Sequence, residues 1–78
     1  MNHELWSNEE ELDTFCLSGE HGDSSRKQLE PDSKIIWTCK AGSHFEAMTM
    51  YYEFRGWGLY TTDFPEHDKK SYKELGWE

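Results

Sequence analysis

Between Ser43 and Gly56 the chain reads S-H-F-E-A-M-T-M-Y-Y-E-F-R-G, a helix with both of its ends written in. Ser43 with Glu46 three residues on is a capping box: the hydroxyl accepts from the Glu46 amide, and the carboxylate reaches back towards the Ser43 amide. Gly56 can turn left-handed just past Arg55, and Trp57 can then pack back on Tyr52 in a Schellman-type stop. The spacing predicts a helix over 44–55. At about 100° per residue, Phe45, Met48, Tyr52, Tyr51 and Ala47 sweep one arc, which Phe54 and Met50 widen. Only Glu46, Thr49 and Glu53 form a polar strip. A surface helix needs an apolar stripe of roughly 100°; this one spans about 200°, so something must cover the excess.

The flanking stretches supply a sheet. Lys34–Ala41 alternates as a strand, with Ile35, Trp37, Cys39 and Ala41 on the face expected against the helix. Gly58–Thr62 reads as a second short strand. Strand, helix, strand allows a right-handed parallel crossover, and an antiparallel arrangement with a third strand from elsewhere is equally open. Pro65 suits the first turn of a helix, and Gly76 after Leu75 suits its end, so a C-terminal helix is predicted over 66–75. No internal repeat is visible. The expected fold is α+β: a small two- or three-stranded sheet packed against one main amphipathic helix, with a short C-terminal helix beside it.

Composition divides the chain. Its 78 residues carry a net charge of −8, with nine acids against Arg26 and Lys27 in residues 1–33, and seven acids against six bases in 34–78. Residues 18–33, SGEHGDSSRKQLEPDS, have a linker's composition, with Leu29 the sizeable apolar residue. Ahead of them, Ser7 with Glu10 suggests a helix at about 8–16, with a strand over Leu12–Leu17 as the rival reading. Residues 1–33 are therefore expected to form an acidic arm and linker, whose order the composition leaves open, and residues 34–78 the folded domain. A domain this small buries only about 60% of its unfolded surface. The four Trp, four Tyr and four Phe are what let it fold at all.

No stretch is a catalytic, metal or nucleotide signature. The possible ligands His3, Cys16, His21, Cys39, His44 and His67 show no CxxC or HxxxH spacing, and Glu66-His67-Asp68 point in different directions on a helix. A thiol at Cys39 with His44 as its base is opposed by the expected burial of Cys39. Glu46 and Glu53 share the wet side of the helix. Catalytic, cofactor and metal sites are accordingly none, and an enzyme is not expected. The acidic balance argues against direct nucleic-acid binding, which needs Lys and Arg on phosphates. Two cysteines make no disulfide framework. With neither a signal-peptide pattern nor an apolar run of about 18 residues, the expectation is a cytoplasmic protein off the membrane.

The pattern W-T-C-K-A-G-S-H-F-E-A-M-T-M-Y-Y-E-F-R-G-W-G-L-Y, residues 37–60, resembles small stand-alone bacterial and phage proteins of uncharacterised function. These have a strand, an A-x-S-x-x-E-A helix start and a tyrosine-rich helix ending in G-W-G-x-Y. The resemblance implies the strand, the capped helix and its stop. It transfers no site.

What remains is a non-enzymatic interaction protein, expected to bind or inhibit a larger bacterial protein of basic surface. The residues expected to meet a partner are Met48, Tyr51, Phe54 and Trp57 on the apolar side, with Glu9, Glu10, Glu11 and Asp13 in the acidic arm. In one variant the helix face pairs with itself in a two-fold homodimer. In the alternative reading those four carboxylates stand in for phosphates, making the chain a nucleic-acid mimic in the basic groove of a DNA-binding protein.

Overall fold

A computed structural model describes all of residues 1–78. The fold is α+β, with a three-stranded antiparallel sheet and three short-to-medium helices. The strands are β1 (Asn2–Ser7), β2 (Thr14–Leu17) and β3 (Lys34–Lys40), and β1 lies in the middle. The helices are α1 (Asp23–Arg26), α2 (His44–Arg55) and α3 (Pro65–Asp68). The chain forms two compact units, Asn2–Cys39 and Met1 with Lys40–Glu78. That boundary follows Cys39, whereas the charge shift in the sequence falls at residue 33.

In the first unit β1 and β2 form an antiparallel hairpin, with His3 opposite Leu17, Glu4 opposite Cys16, Leu5 opposite Phe15 and Trp6 opposite Thr14. The helix expected at 8–16 does not form. Asn8 supplies the reason: its side-chain oxygen accepts from the amides of Glu10 (3.0 Å) and Leu12 (3.1 Å), and its carbonyl accepts from Glu11 (2.9 Å). An asparagine that bonds its own following backbone offers the chain a turn in place of a helix. Of the two readings of this segment the strand is the one found, over Thr14–Leu17. The linker-like stretch also carries structure, a 3₁₀ turn at Glu20–Gly22 running into α1.

Leu5 is fully buried on one face of the hairpin. On that face the rings of His3 and Phe15 stack at 5.5 Å, and Phe15 meets Trp37 of β3 at 6.1 Å. Beside β2 the 3₁₀ turn lies so close that a Cβ on Gly22 would sit 1.8 Å from the Leu17 carbonyl oxygen. Only glycine fits there. Cys39 is half-buried and Ile35 and Ile36 are exposed, so β3 is wetter than its alternation suggests.

In the second unit α2 spans its predicted residues. Ser43 Oγ accepts from the Glu46 amide at 3.1 Å. The Glu46 carboxylate reaches one residue further back than expected, to the Gly42 amide at 3.2 Å. Gly56 is left-handed at φ 71°, its amide bonds the Glu53 carbonyl (3.2 Å) and the Trp57 amide bonds the Tyr52 carbonyl (3.0 Å). This is the Schellman stop. Ala47 and Tyr51 are the buried residues of the helix.

Two expectations fail here. Gly58–Thr62 is not a strand; both partners of β3's sheet, β1 and β2, come from the N-terminal segment instead. The C-terminal helix is four residues long rather than ten. After it the chain makes an isolated antiparallel bridge from Ser71 to Ser43, and Tyr72 donates its amide to the Gly42 carbonyl at 2.8 Å. Ser71 Oγ then accepts from the Glu74 amide at 3.0 Å, and the Trp77 amide bonds the Tyr72 carbonyl at 2.9 Å across Gly76. The bridge resets the backbone, which restarts as a second capped turn.

Two stability outcomes follow. Ser43→Ala removes the α2 cap and is expected to cost about 1 kcal/mol, read as a lower urea midpoint with unchanged slope. Glu11 holds φ 60°, a left-handed value that strains a side chain. Glu11→Gly should therefore stabilise by roughly 0.5–1 kcal/mol; a drop in the midpoint would show that this conformation carries no strain.

Candidate functional site

Past α2 the chain runs from Gly56 to Phe64 without regular structure. Gly58 is left-handed at φ 88°, and Phe64 precedes Pro65, which disfavours helix for it. The segment is pinned at a few points. Trp57 lies edge-on to Tyr51 (5.2 Å) and Tyr52 (5.4 Å). Tyr60 meets Tyr52 (5.2 Å) and Phe45 (5.4 Å), also edge-on. Such edge-to-face pairs contribute about 0.5–1.5 kcal/mol each beyond burial. The Tyr60 hydroxyl donates to Asp68 Oδ2 at 2.8 Å, and Asp68 Oδ1 lies 3.6 Å from His44 Nε2. Burial raises the pKa of Tyr60, and its hydrogen bond to Asp68 pushes it the same way.

Between these pins the side chains face water. Trp57 is 55% exposed, Leu59 82% and Phe64 74%. Phe64 also helps line an open depression of about 510 Å³ with Asp63, Pro65, Glu66, His67 and Lys70. Two rings already carry cations of the chain itself: Lys69 Nζ sits 4.8 Å from the Phe45 centroid, and the Arg55 guanidinium 5.5 Å from that of Phe54.

The residues expected to meet a partner divide. Trp57 and Phe54 are exposed, Met48 is half-buried, and Tyr51 is 6% exposed and belongs to the core. Glu9, Glu10 and Glu11 are exposed at the hairpin turn and Asp13 is half-buried. Of the chemistry weighed in the sequence, Glu46 is spent on the helix cap, and Cys39 is less buried than expected. No three His, Cys, Asp or Glu side chains gather where they could hold a metal ion, and no helix is long and apolar enough to cross a membrane.

Two features escaped the sequence reading. One was legible: Y-x-x-x-G-W occurs at Tyr52–Trp57 and again at Tyr72–Trp77. Both copies close the same backbone turn, with ring pairs at 5.4 and 5.8 Å. The other had no local signal. The Glu4 carboxylate accepts from Trp6 Nε1 (3.0 Å), Ser18 Oγ (3.0 Å) and Arg26 Nη1 (2.9 Å), and Arg26 also donates to the carbonyls of Leu17 (2.9 Å) and Gly19 and to Asp23. Burial works against the Glu4 charge, but the bonds from Trp6, Ser18 and Arg26 outweigh it and hold its pKa below 4.5. The neighbouring Cys16 thiol is pushed up, by burial first and by the Glu4 charge second.

Comparison with protein-family models, with curated proteins and with solved structures finds no match.

A carboxylate with a lowered folded pKa contributes stability in full above its unfolded value and loses it as pH falls through the folded one. Glu4 should therefore make the protein progressively less stable on acidification below pH 4.5. Glu4→Gln should flatten that part of a plot of urea midpoint against pH. Parallel curves for the two proteins would mean that Glu4 titrates alike folded and unfolded.

Proposed function

We propose that this chain is a non-enzymatic interaction protein that binds, and thereby inhibits or regulates, a larger protein. The observation that carries the reading is the segment from Trp57 to Phe64, held by ring contacts at Trp57 and Tyr60 while Trp57, Leu59 and Phe64 stand in water. Burying side chains of this size is worth about 1.5–3 kcal/mol each, and half-exposed tryptophan is a residue type favoured at the energetic centre of interfaces. The sequence expectation that the apolar face of α2 meets the partner narrows to Phe54, Met48 and this following segment, because Tyr51 is core. The acidic turn at Glu9–Glu11 suits attraction of a basic partner surface from a distance. In this proposal the partner is taken to be bacterial, on the resemblance of residues 37–60 to bacterial and phage proteins.

A second reading, the nucleic-acid mimic, rests on the same turn. Asn8 fixes the backbone under Glu9, Glu10 and Glu11, so the three exposed carboxylates are presented on an ordered frame.

A photo-crosslinking residue at position 59 identifies the partner, and Leu59→Asp and Phe64→Asp, both at strongly exposed side chains, then test the surface. Both variants should keep the amide spectrum of the folded chain and weaken the partner at least ten-fold. Retention of full affinity by both would sink the apolar reading. Affinity that survives about 0.5 M salt fits apolar docking, whereas a steep fall with salt, abolished by replacing Glu9–Glu11 with glutamines, fits mimicry.

A further inference from the structure

The two edges of the sheet are finished differently. On β2, α1 and the 3₁₀ turn lie against the strand, and Arg26 Nη1 caps the outward carbonyl of Leu17. On β3 nothing comparable occurs. Met1 and Ala41 exchange both backbone hydrogen bonds, Met1 N to Ala41 O at 2.6 Å and Ala41 N to Met1 O at 3.0 Å. That exchange marks a hydrogen-bonded pair of an antiparallel ladder. Continued in steps of two, it turns the backbone groups of Lys40, Thr38, Ile36 and Lys34 away from β1. No turn, loop or cap backbone bond reaches Lys34–Lys40. All four outward residues are exposed, and Ile35 and Ile36 are each 47% exposed.

The charge around this edge is also distinctive. In the sequence no carboxylate occurs from Ser33 to Phe45, although the chain as a whole carries −8, and Lys34 and Lys40 bracket the strand; the Glu78 carboxylate, near Lys40, is already paired with the Met1 ammonium. We propose that β3 receives an extended segment of a partner protein, apolar in its middle and acidic at its ends, as a fourth strand. Main-chain hydrogen bonds to the outward groups of Ile36 and Thr38 supply affinity, and the lysines select the acidic flanks. A second copy of the chain is the poorer occupant. Two-fold pairing of β3 with itself about Trp37, the register that pairs the strand over its full length, sets Lys34 opposite Lys40, and like charges directly opposite are destabilising; the registers about Ile36 and Thr38 avoid this only by shortening the ladder. The inference is independent of the Trp57–Phe64 surface.

The test titrates the ¹⁵N-labelled full chain with a capped heptapeptide that alternates valine and threonine between terminal aspartates. Amide exchange at Ile36 and Thr38 is expected to slow at least ten-fold. A peptide with lysines in place of the aspartates should bind at least five-fold more weakly, and the Lys34→Glu, Lys40→Glu double variant should reverse that preference. Thr38→Pro deletes one outward donor without touching the β1 ladder, so it should abolish binding while leaving the remaining amide spectrum intact. Equal affinity for both peptides, or shifts confined to Trp57–Phe64, would overturn the proposal. Slowing of these amides with protein concentration alone would also overturn it, by giving the edge to a second copy.

Discussion

The guanidinium of Arg26 sets the geometry of the first unit. It faces two backbone carbonyls and two carboxylates, and through Glu4 it connects to the Trp6 indole and the Ser18 hydroxyl. In effect one side chain fixes the central strand, the end of β2, the 3₁₀ turn and α1 relative to one another. The planar fork of arginine suits this role, since it can satisfy several acceptors in one plane. Gly22 is the steric counterpart, because the turn approaches Leu17 only where no Cβ intervenes. The arrangement suits a chain with little apolar interior, in which Leu5 is the one large side chain fully removed from water.

The second unit is held by rings and by backbone stops. Phe45, Tyr60, Tyr52, Trp57 and Tyr51 form a continuous series of edge-to-face contacts. Edge-to-face packing leaves one side of each outer ring uncovered, which is why a residue can anchor the fold and still present surface. Trp57 does both. The Ser43–Ser71 bridge matters for the same reason: it brings the starts of two capped segments side by side, each ending in a glycine and a tryptophan.

How much of this was legible in the sequence depended on the range of the interaction. The bounds of α2 were readable because its cap and its stop are formed by residues within a few positions of one another. β3 was readable from its alternation and β-branched residues. The N-terminal segment was misread because Ser7 and Glu10 satisfy the capping pattern, whereas Asn8 between them competes for the same amides and wins them for a turn. Gly58–Thr62 has a strand's composition but no neighbour to pair with, and pairing is a tertiary fact. Of the expected contact residues, Trp57 and Phe54 are found at the surface. Tyr51 is not, since helical periodicity gives a face and not the depth to which each residue on it is covered. The Glu4–Arg26 contact joins residues 22 apart and had no local pattern to announce it.

The hairpin turn separates what holds the backbone from what faces water. Asn8 accepts the amides of positions 10 and 12, and Asp32 that of position 9, so the side chains at 9, 10 and 11 make none of the bonds that hold the loop. Such a division of labour makes the tip evolvable. Its charge can drift, reverse or be re-specified for a new target without the sheet beneath registering the change, provided that the asparagine stays.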